Sequence, residues 1–266
     1  MKEITLGQYY PADSILHRLD PRVKFIGTLV YIVSLFLVTG IIGYAVCAAV
    51  LITLVLLSKV PPLYVLRSMK PILVILVFTM LFNIFLTQGQ VLWSWWIFRI
   101  TKEGILMAVR MAFRLSFLVT GSSIMTLTTT PNALTDGMES MFGFLKAVRV
   151  PVHEISMMMS IALRFIPILT EETDKIKKAQ IARGADFDSG NFITRMKALI
   201  PILVPLFVSA FRRANDLAMA MEARCYHGGT GRTRMKPLHY ERRDYAAFGL
   251  IAAFLGGCIA MCLLGL

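Results

Sequence analysis

The sequence predicts an all-α integral membrane protein with about five transmembrane helices and one helical cytoplasmic domain. Three observations carry that expectation. The mean hydropathy is +0.67, with 56 % apolar and only 17 % charged residues, a balance that a soluble domain of 266 residues rarely shows. The apolar residues come in uncharged blocks long enough to cross a bilayer, which takes about 20 residues of helix. The charges gather at block ends and in one long stretch, 129–244, where basic residues outnumber acidic ones.

Taken in order, residues 1–23 are polar and expected on the cytoplasmic side. The block 25–57 carries no charge and is too long for one span, so it reads as two short ones turning at Gly40-Ile41-Ile42-Gly43. Lys24 and Lys59 then lie on one side of the membrane. Charged and turn residues precede Phe25 and no small-residue cleavage site follows the block, so it is expected to be retained. Pro61-Pro62 breaks the helix, Arg67 and Lys70 add to the basic side, and 71–86 makes the third span. Trp93, Trp95 and Trp96 form an interfacial aromatic cluster before the fourth span, 104–127. Thr130 before Pro131-Asn132 is placed to cap a new helix with proline at its first position. The last span is 245–266. The expected organisation is therefore 1–128 for the first four spans, 129–244 for a cytoplasmic domain of amphipathic or interfacial helices, and 245–266 for the fifth span.

Two apolar runs inside the cytoplasmic stretch compete with this count. The run 152–169 carries Arg164 and Pro167 in its middle; 198–211 is short and holds Pro201 and Pro205. If both crossed, Lys175, Lys177, Lys178, Arg183 and Arg195 would face outside, against the positive-inside bias. Both are read as helices at the membrane interface or packed beneath the spans. If exactly one crossed, the two chain ends would share a side.

The net charge of +12 has two readings, nucleic-acid binding or the positive-inside bias. Acids interrupt the basic residues and no aromatic-basic ladder appears, so no nucleic-acid partner is expected. Cys47, Cys225, Cys258 and Cys262 lack metal-ligand spacing and read as packing residues. His17, His153, His227 and His239 show no HxxxH or HExxH pattern, and no serine sits in a GxSxG elbow. The run Gly228-Gly229-Thr230-Gly231-Arg232-Thr233 lacks the phosphate-loop pattern and reads as a flexible basic connector. No catalytic site, metal site or cofactor is expected; ATP, if used, is handled by another polypeptide.

Four features remain. Ala182-Arg183-Gly184 and Ala223-Arg224-Cys225 each put one arginine where a helix is about to stop. A lone arginine there simply suits the helix dipole. Two such motifs in one domain suggest a dock for a two-subunit soluble partner, since a guanidinium fork suits carboxylates in a groove. Arg110 and Arg114 sit i,i+4 inside the fourth span, where charge is costly; they read either as functional groups or as residues of the external interface of a tilted helix. Met157-Met158-Met159 reads as helix packing or as an adaptable surface.

The pieces Thr129-Thr130-Pro131, Arg149-Val150-Pro151-Val152-His153-Glu154, Ala162-Leu163-Arg164-Phe165-Ile166-Pro167, Glu171-Glu172 and Lys178-Ala179-Gln180-Ile181-Ala182-Arg183-Gly184 together resemble the transmembrane component of energy-coupling-factor transporters, a family that includes the cobalt-transporter subunits. The resemblance covers nearly the whole chain. It implies an L-shaped all-α protein whose cytoplasmic coupling domain carries two Ala-Arg-Gly motifs at the ends of crossed helices. Each arginine would insert into a groove of one ABC-type ATPase subunit. Those positions fall on Ala182, Arg183, Gly184 and on Ala223, Arg224, Cys225; Cys225 replaces the second glycine and leaves the turn there open, with Gly228 and Gly229 nearby to supply flexibility.

The resemblance further implies a non-catalytic subunit of a prokaryotic cell-membrane importer. Two ATPases close on ATP and move the coupling helices, and a separate substrate-binding membrane subunit reorients to release a vitamin or related micronutrient. Met157, Met158, Met159, Arg164, Arg110 and Arg114 are candidates for subunit interfaces. A dedicated cobalt, nickel or biotin system is the alternative; the absence of a metal-handling tract in the sequence favours a vitamin-type system. Two further functions are weighed against this one. A membrane-embedded enzyme would use His153-Glu154 or the intramembrane arginines; a self-sufficient permease would use Arg110 and Arg114 as an anion site.

Overall fold

The first helix starts at Pro21 for two local reasons. Proline at the first helical position is preset for the turn, and the Asp20 carboxylate accepts the Arg22 N–H at 2.9 Å as an N-cap. The computed structural model describes residues 9–38, 40–95, 98–187, 191–228 and 237–264. The chain divides into two units, Met1–Gly137 with Leu238–Leu266, and Met138–Pro237.

In the first unit α1 (Pro21–Leu37) and α2 (Ile41–Ser58) form the expected hairpin, with the turn one step earlier than the sequence suggested. Gly40 is the N-cap of α2, and Gly43 lies inside that helix rather than in the turn. Lys59, left-handed at φ 53°, and Pro61-Pro62 end α2 and start α3 (Pro62–Met69). Pro71 falls in a single 3₁₀ turn, Lys70–Ile72, that leads into α4 (Leu73–Leu86). The third apolar element thus begins at Pro62, not Pro71, and runs for 25 residues. Proline removes one N–H from the ladder, and the tighter i→i+3 turn absorbs the loss. The tryptophan segment adds something not expected. It is an antiparallel hairpin, β1 (Val91–Trp95) with β2 (Phe98–Thr101), pairing Trp93 with Ile100 and Trp95 with Phe98. Trp96 lies outside the described residues.

The central helix is α5 (Lys102–Thr128), N-capped by the Thr101 hydroxyl, which accepts the Gly104 N–H at 3.1 Å. It packs on α1, α2, α3 and α4. The Thr-Thr-Pro signal holds: Thr130 Oγ1 accepts the Ala133 N–H at 3.3 Å at the start of α6 (Pro131–Met141). The second unit is built on α7 (Val152–Ala182) and α8 (Phe192–Ala223). The chain returns to the first unit in α9 (Arg242–Leu263), three residues before the expected start. Residues 265 and 266 lie outside the described set.

The core of the first unit is Tyr31, Leu35 and Val38 of α1 and its cap, Cys47 and Leu51 of α2, and Cys258 of α9. Gly121 of α5 is needed there, because a Cβ would stand 2.7 Å from the Tyr31 ring. At one end of the bundle the helix termini are riveted by polar contacts. The Lys24 ammonium donates to the Thr128 carbonyl at 2.9 Å, and the Tyr10 N–H to Leu127 at 2.9 Å. The buried Asp244 carboxylate accepts the Asp20 N–H at 2.9 Å and the Glu241 N–H at 2.8 Å, which makes it half of a capping box. Arg22 donates to the Leu238 carbonyl at 3.0 Å and stacks on Tyr240. Residue His17 joins the same end: its Nε2 lies 3.0 Å from the Tyr10 carbonyl and its Nδ1 2.7 Å from the Ser14 hydroxyl. The starts of α1 and α9 and the end of α5 therefore lie together.

Six helical stretches are long and apolar enough to cross a membrane, α7 and α8 among them. The chain is an all-α membrane protein apart from the short hairpin.

Candidate functional site: two matched helix ends

The helices α7 and α8 are longer than the sequence suggested. Pro167, Pro201 and Pro205 lie inside them and break neither. Pro205 cannot donate to the carbonyl four residues back, which belongs to Pro201. The Gln180 side chain of α7 takes that role, with Nε2 3.2 Å from the Pro201 oxygen. Glu172, two turns earlier on α7, accepts the Ser209 hydroxyl at 2.6 Å and Arg213 Nη2 at 2.7 Å. The contacts run 180 to 201 and 172 to 209, so the two helices pack antiparallel.

Each helix ends in the same way. Arg183 is the C-cap of α7. Beyond it the Gly184 N–H donates to Ile181 at 3.0 Å, and the Ala185 N–H reaches back to Gln180 at 3.0 Å. Arg224 is the C-cap of α8, where the Cys225 N–H donates to Glu222 at 2.9 Å and the Tyr226 N–H to Met221 at 3.1 Å. Both are Schellman caps, with the residue after arginine in the left-handed region. Gly184 has φ 87° and Cys225 has φ 55°. Cysteine therefore makes the turn that glycine makes in the first motif, and the question left by the sequence is answered at Cys225 itself. Gly228 also has positive φ, at 91°, but comes after the turn is complete; Gly229, Thr230, Gly231, Arg232 and Thr233 lie outside the described residues.

Ala182, Arg183, Gly184, Ala223, Arg224 and Cys225 are all exposed. Among the described residues neither Arg183 nor Arg224 has a carboxylate partner. The alanines leave the approach to each guanidinium open. Residues 201–224 span about 35 Å of helix at ~1.5 Å per residue, and Gln180 fixes the Arg183 end beside Pro201. The two arginines thus stand far apart, as two separate contacts rather than one paired site.

The other candidates are dispersed. Met158 and Met159 are exposed and Met157 half-buried, on one turn of α7; Arg164 is exposed two turns on. The flanking apolar side chains Phe192, Met196, Leu203, Phe207 and Phe211 of α8 are also exposed. Single exposed apolar groups are ordinary, but a helix-long set of them marks a surface covered by lipid or protein. In the first unit Arg114 Nη2 donates to the Val38 carbonyl at the end of α1, at 3.3 Å, and its guanidinium lies over the Phe36 ring. Arg110, one turn away, is exposed and has no partner among the described residues.

His153 pairs with Glu139 at 3.0 Å, not with its neighbour Glu154, and Glu139 also accepts the Ser156 hydroxyl. Cys47 and Cys258 meet in the buried core, a pairing that sequence spacing did not suggest. Among the described residues no group of three or more His, Cys, Asp or Glu is placed to hold a metal ion. Sequence reasoning missed Ser209 and Arg213, which carry no motif of their own. The proline at 205 was the available signal for Gln180.

The chain is an all-α membrane protein, and its likeness to known proteins puts it in the class of membrane transport components. The comparisons give the family. The family model described as cobalt transport protein, CbiQ, matches residues 12–236. The chain is 52 % identical over 261 residues to the energy-coupling factor transporter transmembrane protein EcfT of Ruminiclostridium cellulolyticum, covering 98 % of each chain. It is 53 % identical to the protein of that name from Clostridium kluyveri over 93 % of this chain and 92 % of the relative. With the Heliobacterium modesticaldum protein it shares 49 % over 99 % and 98 %. The chain belongs to the CbiQ family of transport proteins, in company with these energy-coupling factor transmembrane proteins.

Proposed function

We propose that this chain is the non-catalytic energy-coupling subunit of an importer in the cell membrane, docked by two ABC-type ATPase subunits and serving a separate substrate-binding membrane subunit. One observation carries the reading: α7 and α8 end in the same cap, with the same exposed arginine that has no carboxylate partner among the described residues. Two equivalent contacts held apart on one rigid pair of helices suit a soluble partner with two equivalent grooves. Closure of the ATPases on ATP moves the two helix ends, and the antiparallel lock at Gln180–Pro201 and Glu172–Ser209–Arg213 carries that movement along α7 and α8 as a unit.

The arrangement of the first unit supports a cytoplasmic position for these helix ends. The end of α5 and the start of α9 lie together, so α7 and α8 cross the membrane both or not at all. Crossing by both would carry the basic residues around Arg183 to the outside, against the positive-inside bias. We therefore assign five spans, 1–128 holding four and 245–266 the fifth, with 129–244 cytoplasmic. The cargo is assigned as a vitamin or related micronutrient, selected by the partner subunit.

The test is co-purification with the ATPase pair from the same genome, and ATP-driven uptake, for wild type, Arg183→Glu, Arg224→Glu and the double variant. Each single variant is expected to weaken assembly or uncouple hydrolysis from uptake, and the double variant to abolish it. Equal assembly and uptake by all four would remove the arginines from the docking role.

A further inference from the structure

Two cationic contacts hold α1 against α5. At one end Lys24 donates to Thr128; at the other Arg114 donates to Val38. Lys24 to Val38 on α1, and Arg114 to Thr128 on α5, are equal stretches of about 21 Å at ~1.5 Å per residue. The hydrocarbon core of a bilayer is about 30 Å thick. If Lys24 and Thr128 mark one boundary, the turn between α1 and α2 lies several ångströms inside the other. The first turn of α2, with exposed Ile41 in it, has N–H groups that no intrahelical carbonyl accepts and that hydrocarbon cannot satisfy. The polar boundary of the far leaflet must therefore come down to the turn.

Arg110 and Arg114 stand at that level. Arg114 spends one nitrogen on Val38 and has a buried Nε with no partner. Arg110 follows one turn further out on α5, exposed, among the exposed apolar side chains Met107, Val109 and Phe113. Neither guanidinium has a carboxylate partner among the described residues. Two unneutralised charges i,i+4 on one helix face call for an anion. The surrounding apolar surface faces laterally, as an acyl chain requires, and a phosphodiester offers the paired oxygens that a guanidinium fork accepts.

We propose that Arg110 and Arg114 bind the phosphate of a phospholipid in the leaflet opposite Lys24, drawn down to the α1–α2 turn. The site requires only that α1, α2 and α5 cross the bilayer; it is independent of the coupling role assigned to Arg183 and Arg224.

Native mass spectrometry of the full-length protein, delipidated and then titrated with phosphatidylglycerol or with diacylglycerol of the same chains, tests this. Wild type is expected to retain one phospholipid and no diacylglycerol. Arg110→Gln should weaken retention severalfold and Arg110→Gln with Arg114→Gln by about tenfold or more, as befits loss of charge-assisted hydrogen bonds. Arg110→Lys, which keeps the charge, should lie between. Arg110 has no partner among the described residues, so its variant tests the site even where Arg114→Gln fails to fold. Equal retention of diacylglycerol, or unchanged retention by Arg110→Gln, overturns the proposal. So does displacement of the lipid by millimolar inorganic phosphate, which would make the ligand a soluble anion. Release of lipid as a partner membrane subunit's carboxylate covers Arg110 would likewise replace lipid by protein.

Discussion

Exchanging the residues at the two left-handed turns gives opposite shifts of known sign. A side chain in the left-handed region costs roughly 1–2 kcal/mol. A Cβ at Gly184 meets nothing within 4 Å, so Gly184→Ala carries that backbone cost and no clash. The same substitution restricts the unfolded chain, which returns about 0.4–1 kcal/mol. The net loss is about 1 kcal/mol, or close to fivefold in the local opening equilibrium. Cys225→Gly runs the other way and should tighten its cap by a similar or smaller factor. Amide hydrogen exchange reads both directly. The Ala185 N–H, bonded to Gln180, should exchange about fivefold faster in Gly184→Ala, and the Tyr226 N–H, bonded to Met221, more slowly in Cys225→Gly. Gly184→Asn should lie between wild type and alanine, because asparagine tolerates this conformation. Faster exchange at Tyr226 in Cys225→Gly would refute the reasoning, since the cysteine would then be stabilising the turn through contacts rather than straining it.

Two further outcomes follow from the riveted end of the bundle. Asp244→Ala leaves the Asp20 and Glu241 N–H groups without their acceptor, at about 1–3 kcal/mol each, so thermal unfolding of the purified protein should move down clearly, with Asp244→Asn milder. Burial, the larger cause, and the nearby Lys24 ammonium push the His17 pKa below its usual 6.5, while the bond to the Tyr10 carbonyl opposes them. The folded state therefore favours neutral imidazole; this contribution is full above pH 6.5 and is lost as pH falls through the lower folded value. Protection of the Tyr10 amide, taken against its intrinsic exchange rate at each pH, should fall over that window in wild type and stay flat with pH in His17→Gln.

The parts of the fold that were legible in the sequence are those set by local chemistry. Pro61-Pro62 and Thr130-Pro131 each mark a helix boundary because capping and the proline ring act within a few residues; the start of α1 at Asp20-Pro21, by the same chemistry, lay inside a stretch read only as polar. The continuity of α7 and α8 was not legible. Pro201 and Pro205 suggest an interruption, and the carbonyl that Pro205 leaves unpaired is taken by Gln180, twenty-odd residues away and meaningful only once the helices pair. The left-handed Cys225 was hidden for a different reason: residue type favours glycine at that turn, and only the backbone shows that cysteine takes it. The tryptophan hairpin was ambiguous because aromatic residues serve interfaces and strands equally well. The two arginine motifs were visible by position, but their equivalence as caps came from hydrogen bonds no spacing could display.

The points where the first unit gives up the chain and takes it back are neighbours. Gly137 packs on Pro21, where an added Cβ would stand 3.1 Å from the ring, and the Leu238 carbonyl is held by Arg22, the next residue. Everything between them is joined to the first unit at two residues beside the start of α1. Such a segment is an insertion in the architectural sense, attached at a single locus. A short flexible linker joining Gly137 to Leu238 would leave the rivets at Asp20, Lys24 and Asp244 in place. Segments 138–237 from related proteins can on this plan be grafted between the same two residues.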